Sequence, residues 1–246
     1  MRAHDASQFI VGIRVLDERV PAWNEYPFSL PAVRALDGLE FTSAVTFFIG
    51  ENGVGKSTVL EAIAIAFGFN PEGGSRNFNF ASRESHSALH TSLRLIKSPR
   101  RPSDGFFLRA ESFYNVASEV ERLGAVCGYG GRSLHEQSHG EAFMSLTLER
   151  FWGDGLYVLD EPEAALSPTR QLALLARIHQ LVDRQSQFII ATHSPIIMAF
   201  PGATILEISD KGISPVRYEE TEHFTVTKRF MNNPEGILRQ LFEGDA

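Results

Sequence analysis

Residues 44–57 read AVTFFIGENGVGKS, and this stretch decides the fold. Its first six residues form a dense apolar run, which is typical of a strand buried on both faces of a parallel sheet. Three glycines follow, and residues 58–67 (TVLEAIAIAF) then predict a helix rich in Ala, Ile and Leu. A strand, a glycine-rich loop and a helix in this order place backbone N–H groups at a helix N-terminus, where they attract anions.

The glycine-rich loop, residues 50–57 (GENGVGKS), matches the pattern G-x-x-x-x-G-K-[ST] without departure. The glycines allow successive N–H groups to turn inward around phosphate oxygens. We expect the Lys56 ammonium to reach the β- and γ-phosphates of ATP and the Ser57 hydroxyl to bind Mg²⁺. The predicted nucleotide-binding residues of this loop are Gly50, Glu51, Asn52, Gly53, Val54, Gly55, Lys56, Ser57 and Thr58.

A second apolar run, residues 156–159 (LYVL), ends in two adjacent carboxylates. We expect Asp160 to hold Mg²⁺ through its water shell and Glu161 to polarise the water that attacks the γ-phosphate. An apolar strand that ends in Asp-Glu is common and says little by itself. The phosphate-binding lysine lies 104 residues upstream (160 − 56), and the two motifs together make the prediction specific.

Two further motifs accompany this pair. Residues 137–141 (QSHGE) precede a helix predicted at 140–150, so that Ser138 would lie at a helix N-terminus and either bind an anion or cap the helix. Residues 191–194 (ATHS) lie at the end of the next predicted buried strand after the one that ends in Asp160 and Glu161. The place of His193 after such a strand favours a functional role over that of a core or capping residue.

The order of the four motifs resembles that of the ABC ATPase superfamily: Walker A, signature, Walker B with an adjacent Glu, then a switch histidine. The resemblance implies that Ser138 and Gly140 belong to the signature and that residues 164–167 (AALS) form the D-loop. It also implies an ATP-dependent, head-to-tail homodimer in which the signature serine faces the ATP of the other protomer. The predicted catalytic residues are then Lys56, Glu161 and His193, and the predicted Mg²⁺ ligands are Ser57 and Asp160.

The sequence departs from the family pattern at several positions. His139 replaces a glycine of the common signature, and Glu141 replaces its glutamine. The family also carries a Q-loop glutamine between Walker A and the signature, where this chain offers only Glu111, as either a metal-facing acid or a surface residue. Adenine-contacting residues are not identified, because core packing is the favoured role of the upstream aromatics Tyr26 and Phe28.

Within the superfamily, the chain is similar to the small stand-alone ATPases predicted in bacteria, on residues 72–80 (EGGSRNFNF), 137–141 (QSHGE) and 159–168 (LDEPEAALSP). A transporter subunit is the first alternative, but such subunits usually carry Pro-Thr after Walker B, and this chain carries Pro162-Glu163. A nucleotide-gated regulatory or defence module with little turnover is the second alternative. The chain lacks the heptad pattern of long coiled-coil arms.

The remaining pattern predicts the fold class. Buried strands that alternate with helices indicate an α/β protein of the P-loop type with a mostly parallel sheet, a smaller antiparallel β portion and a loop-rich insertion at about 70–104, in a single domain over 1–246. The further predicted elements are strands at 10–16 and 106–110, a helix at 112–122, a helix from Pro168 with the apolar stripe Leu172, Leu175, Ile178 and Val182, a hairpin around 210–212, and a helical tail at 219–242.

Composition limits the environment and the partners. The net charge of −7 gives no support to a broad nucleic-acid surface, and the basic cluster Arg94, Lys97, Arg100 and Arg101 is more typical of a solvated loop. A single cysteine, Cys127, allows no internal disulfide. The chain has neither a signal core nor an apolar run of about 18 residues, so we expect a cytoplasmic protein without membrane insertion. A further protein partner stays open.

Overall fold

The computed structural model describes residues 8–75, 87–109, 117–118, 121–122 and 133–243. Its strands are β1 (Ile10–Val15), β2 (Val45–Ile49), β3 (Gly74–Ser75), β4 (Leu93–Lys97), β5 (Asp104–Arg109), β6 (Gly155–Asp160), β7 (Gln187–Ala191), β8 (Thr204–Ser209) and β9 (Gly212–Pro215). Its α-helices are α1 (Pro31–Arg34), α2 (Lys56–Phe67), α3 (His139–Arg150), α4 (Pro168–Asp183), α5 (Glu222–Asn232) and α6 (Pro234–Glu243).

The central sheet has seven strands in the order β3-β5-β6-β7-β2-β8-β9. The five inner strands run parallel, and the short edge strands β3 and β9 run antiparallel to their neighbours. Every residue of β2, β6 and β7 is buried, as their dense apolar runs predict. The predicted α/β class with a mostly parallel sheet is confirmed.

Helices cover both faces of this sheet. Side chains alternate between the faces, so that Phe47 of β2 joins the core under α3 and α4 while its neighbour Phe48 joins the core under α2. Phe143 of α3 and Ile178 of α4 pack on the first face, and Leu60 of α2 packs on the second. The sheet is therefore the middle layer of three, with its strand ends free to carry polar groups.

The registers of the parallel strands bring their carboxyl ends to one edge. Asp160 of β6 lies level with Ala191 of β7 on one side and with Arg109 of β5 on the other. Phe48 of β2 also pairs with Ala191, so that the loop at Gly50 starts at the same edge. The three motifs that the sequence places after β2, β6 and β7 therefore meet in space.

A small antiparallel sheet of β1 and β4 lies apart from the central sheet, as expected for the smaller β portion. Strand β4 falls inside the segment at 70–104 that we expected to be rich in loops. Its five residues (LRLIK) show no regular alternation, only Leu93 among them is buried, and serines and prolines flank them, so the sequence offers no clear strand period here. Residues 76–86 of the same segment lie outside the described residues.

Helix α4 begins at Pro168 as predicted, but the predicted apolar stripe is partly wrong. Leu172 is 58% exposed, and the buried residues of the helix are Leu174, Ile178 and Leu181. The expected spacing of three from Leu172 to Leu175 to Ile178 drifts by 60° at each step, because an α-helix turns 100° per residue. Leu172 therefore faces solvent.

The other predicted elements are confirmed where the structure describes them. Strands β1 and β5, the β8–β9 hairpin and the two tail helices α5 and α6 all form. Most of the predicted helix at 112–122 lies outside the described residues, and so do Glu111 and Cys127. Within the described part of the chain, the helices are all too short or too polar to cross a bilayer.

Candidate functional site

The glycine-rich loop after β2 has a backbone that only glycine adopts easily. Gly50 has a φ of +139°, and a Cβ there would lie 2.3 Å from the carbonyl oxygen of Ile208 on β8. Gly55 has a φ of +103° immediately before α2 begins at Lys56, and its Cβ would lie 2.9 Å from Leu30. The loop is thus pressed against the sheet while its N–H groups lie at a helix N-terminus.

The Lys56 side chain folds back over this loop. Its Nζ donates to the carbonyl oxygens of Gly50 at 3.0 Å and Glu51 at 2.8 Å, and the residue is only 4% exposed. Burial lowers the pKa of Lys56, while the nearby carboxylates of Glu161 and Asp160 act in the opposite direction. The ammonium therefore lies against the loop backbone and near the carboxylates that follow β6.

Ser57 and Asp160 join helix α2 to the end of β6. The Ser57 hydroxyl donates to Oδ1 of Asp160 at 3.0 Å, and Asp160 is 7% exposed. A hydroxyl and a carboxylate are hard oxygen ligands, which Mg²⁺ prefers. Because Mg²⁺ commonly takes one or two protein ligands and completes its shell with water and phosphate oxygens, this pair fits the ion predicted from the sequence.

Glu161 and His193 face each other at the same edge of the sheet. Oε1 of Glu161 lies 3.6 Å from Nε2 of His193. The backbone of Glu161 is left-handed, with a φ of +50°, and its N–H donates to the carbonyl oxygen of Ala191 at the end of β7. Such strain in a non-glycine residue costs on the order of 1–3 kcal/mol and occurs preferentially at functional sites.

Glu163 joins the loop after β6 to His193, a contact that no sequence motif indicates. Its Oε1 accepts a hydrogen bond from the backbone N–H of His193 at 2.5 Å. Burial raises the pKa of Glu163, although the bond from His193 counteracts the effect. The chain thus holds His193 through its main chain as well as through its ring.

A second histidine also contacts His193. Nε2 of His223, in the first turn of α5, lies 3.1 Å from Nδ1 of His193. Burial lowers the pKa of both rings; Lys56 lowers that of His193 further, and His193 lowers that of His223 further. Sequence patterns do not predict this pair, because His223 lies in a polar stretch 30 residues away and belongs to no motif.

Beside the phosphate loop lies a cavity of about 530 Å³, which Tyr26, Thr58 and Arg109 help to line. The Tyr26 hydroxyl is 3.1 Å from Oγ1 of Thr58, and Tyr26 is 68% exposed. The expected core role is therefore wrong for Tyr26 and correct for Phe28, which is 3% exposed. Arg109, at the end of β5, forms an ion pair of 2.7 Å with the buried Glu61 of α2.

Ser138 is the N-cap residue of helix α3. Its hydroxyl accepts from the N–H of Glu141 at 3.3 Å, and the Glu141 carboxylate accepts from the N–H of Ser138 at 3.1 Å. Glu or Gln commonly completes such a capping box, and Glu141 fills that position here. A Cβ on Gly140 would lie 2.7 Å from the carbonyl oxygen of Ala165, so the predicted signature and D-loop are in contact.

The structure brings together five of the predicted residues: Lys56, Ser57, Asp160, Glu161 and His193. It does not bring Ser138 to them. Over the described residues, the hydrogen bonds of Ser138 are those of its own capping box and the helical bond that its carbonyl oxygen accepts from the N–H of Ala142. Two halves of the predicted site are therefore present on the chain, without direct bonds between them.

Two family models match the chain. Residues 29–120 match the family described as "AAA domain", and this segment includes the glycine-rich loop. Residues 136–199 match the family described as "AAA domain, putative AbiEii toxin, Type IV TA system", and this segment includes Ser138, Asp160, Glu161 and His193. No curated protein sequence matches.

Several solved structures are similar at low sequence identity. CbiO1 from Clostridium perfringens, part of the ABC transporter complex CbiONQ, is 17% identical; the match covers 95% of this chain and 99% of that one, with a TM-score of 0.49. An ATP-binding cassette of an ABC transporter is 17% identical, with 94% and 98% covered and a TM-score of 0.47. The SMC head domain from Thermotoga maritima is 18% identical, with 73% and 92% covered and a TM-score of 0.39.

Proposed function

We propose that this chain, a P-loop ATPase of the ABC/AAA type by its motif order and its two family matches, binds ATP with Mg²⁺ and hydrolyses it to ADP and phosphate. One observation carries the proposal. The Ser57–Asp160 hydrogen bond and the Glu161–His193 contact lie side by side at one edge of the parallel sheet. A metal site and a base beside a phosphate loop are the parts that phosphoryl transfer to water requires.

The phosphates of ATP would lie along the loop at the N-terminus of α2. The loop N–H groups and the helix dipole favour negative charge there. Lys56 would exchange the carbonyl oxygens of Gly50 and Glu51 for β- and γ-phosphate oxygens, which bind an ammonium more strongly. Beside Thr58, the exposed ring of Tyr26 offers a flat surface on which adenine can stack.

The two carboxylates at the end of β6 would have different roles, Asp160 in binding the metal and Glu161 as the base. Ser57 and Asp160 would hold Mg²⁺, which neutralises charge that develops on the phosphate oxygens. Glu161 would orient the attacking water and accept its proton on Oε1 or Oε2, while the water oxygen bonds to the γ-phosphorus and the bond to the ADP oxygen breaks. His193 would donate a hydrogen bond to a γ-phosphate oxygen through Nε2.

Ser138 would complete the site of a second protomer. It is exposed at the N-terminus of α3, where the helix dipole favours an anion, and the capping box uses its hydroxyl oxygen as an acceptor but not its hydroxyl proton. The ABC resemblance assigns this serine to the ATP of the partner. Two such contacts in a twofold dimer make ATP part of the interface, so that dimerisation depends on ATP.

Replacement of the proposed base tests the activity. We expect Glu161→Gln to retain ATP binding and to slow phosphate release by on the order of a hundredfold or more, because an amide accepts no proton. Glu149→Gln, on the exposed end of α3, is the matched control and should behave as the parent. Phosphate release and ATP titration calorimetry measure the two effects. Turnover of Glu161→Gln at the parental rate would show that the base lies elsewhere.

A second candidate function rests on the name of one matched family. Residues 136–199 match a family whose description includes the AbiEii toxin of a type IV toxin–antitoxin system. If the chain works as such a nucleotide-gated module, its expression should slow cell growth in a manner that requires Lys56. Equal growth with the parent and with Lys56→Ala, at equal protein levels, would rule out this candidate and leave the ATPase assignment untouched.

A further inference from the structure

The start of α5 and the turn before it contact the loop that follows β7, residues 192–196, at two points. The Tyr218 hydroxyl donates to the carbonyl oxygen of Pro195 at 2.8 Å, and Nε2 of His223 lies 3.1 Å from Nδ1 of His193. Between these points, the buried Thr221 caps α5 by accepting from the N–H of Phe224. The Tyr218 bond and the Thr221 cap therefore fix where α5 begins, and this places His223 beside His193.

Both imidazoles of this pair are neutral near neutral pH. Burial is the main cause that lowers the pKa of each ring, and Lys56 lowers both further, while Glu161 opposes the shift at His193 and Glu222 and Glu163 oppose it at His223. Each neutral ring carries one N–H, and only one of the two nitrogens that face each other can be the donor. Either His223 donates from Nε2, or His193 donates from Nδ1.

The surroundings of His193 decide between these two arrangements. If His193 carried its proton on Nδ1, the lone pair of its Nε2 would face the Glu161 carboxylate at 3.6 Å, and the two would repel each other. Nδ1 of His223 would then be a buried N–H donor, although it has no partner among the described residues. With the proton on Nε2 of both rings, the buried Nε2–H of His193 faces the Glu161 carboxylate at 3.6 Å, beyond hydrogen-bond length but in a favourable electrostatic orientation. Nδ1 of His223 is then an unpaired acceptor, not an unpaired donor, over the described residues.

We propose that His223 is a positioning residue for His193: it donates Nε2–H to Nδ1 of His193 and so fixes the tautomer that presents Nε2–H to Glu161 and to the γ-phosphate. This inference rests on the proposed ATPase function. A ring that can protonate either nitrogen would present a lone pair to the phosphate for part of the time, and a lone pair repels an anion. His223 never touches the nucleotide in this account, and it acts only through His193.

The kinetic test compares two substitutions at His223. His223→Leu removes the donor, and His223→Gln keeps an N–H at the place of Nε2. We expect His223→Leu to lower kcat by about tenfold to a hundredfold, as for other residues that orient a functional histidine. The dissociation constant of ATP should change by less than about threefold, because the lost bond matters in the transition state. His223→Gln should restore most of the activity, and both variants should melt within a few degrees of the parent.

Two further measurements exclude a merely structural effect. In a His193→Ala background, His223→Leu should cause no additional loss, because a positioning residue has nothing left to position. Long-range ¹H–¹⁵N spectra of the parent should show His193 protonated at Nε2, and those of His223→Leu should show a mixture of tautomers. A parent protonated at Nδ1, or a His223→Leu protein with parental kcat, would overturn the proposal. A parent without ATPase activity would refute the proposed function, and the tautomer spectrum would still test His223 by itself.

Discussion

The two halves of the proposed site are built in different ways. On the nucleotide side, polar side chains from separate elements contact one another: Ser57 bonds to Asp160, and His193 is contacted by Glu161, Glu163 and His223. On the signature side, Ser138 bonds only within its own helix turn, over the part of the chain that the structure describes. The nucleotide side is therefore organised by contacts between separate elements of one chain, while the signature side presents an exposed helix N-terminus, which the proposed mechanism assigns to a partner's phosphate.

The largest expected effect is on the nucleotide side. We expect Lys56→Ala to weaken ATP binding about a hundredfold or more, which corresponds to about 2.8 kcal/mol, because the charged hydrogen bonds to the phosphates have no substitute. Lys211→Ala, on the exposed β8–β9 turn, is the matched control and should leave affinity unchanged. Titration calorimetry measures both, and parental affinity for Lys56→Ala would remove the loop from the site.

The next expected effect is on protein stability, and it concerns the close contact of Gly140 with Ala165 on the signature side. A Cβ on Gly140 would lie 2.7 Å from the carbonyl oxygen of Ala165 and 2.5 Å from the Arg170 guanidinium, and the carbonyl belongs to the backbone and cannot swing away. We expect Gly140→Ala to destabilise the protein by about 1–3 kcal/mol, as overpacking usually does. Denaturant unfolding checks this, with the exposed His139→Ala in the same turn as control. Equal stability of the two variants would mean that the signature and D-loop are not in firm contact.

The smallest effect concerns Glu163 and depends on pH. Its pKa is raised in the folded protein, so the folded state holds the proton more tightly than the unfolded state does. The contribution of Glu163 to stability should therefore fall as pH rises from the ordinary carboxyl range, at about 4.3, toward neutrality. Unfolding free energies of the parent and of Glu163→Gln, measured across that range, should differ increasingly in favour of the glutamine variant. A difference that does not change with pH would contradict the raised pKa.

Much of the nucleotide side could be predicted from the sequence, because its residues follow dense apolar strands. Strands β2, β6 and β7 stand out as buried runs, and parallel strands necessarily bring their carboxyl ends to one edge. Motif order then predicts that Asp160 approaches Ser57 and that His193 approaches Glu161. The buried apolar runs and the motif order are thus enough to predict which residues meet on the nucleotide side.

The residues that sequence patterns missed depend on tertiary contacts between distant segments. His223 reaches His193 across 30 residues, and Tyr26 reaches Thr58 across 32. Neither contact produces a hydrophobic period or a motif spacing that could be recognised in the sequence. Each depends on where a loop or helix lies relative to the end of the sheet. Strand β4 was missed for a local reason, since prolines and serines flank its five residues.

A site shared between two chains is the central claim, and light scattering in the presence of ATP and Mg²⁺ tests it most directly. The Glu161→Gln protein should double its mass when ATP is added, since ATP joins the two chains and the hydrolysis that releases them is blocked. Glu161→Gln combined with Ser138→Arg should bind ATP with similar affinity and stay monomeric, because the long side chain occupies the place of the partner's phosphate. A monomer under both conditions, at protein concentrations well into the micromolar range, would contradict the shared site and leave an ATPase that is complete within one chain.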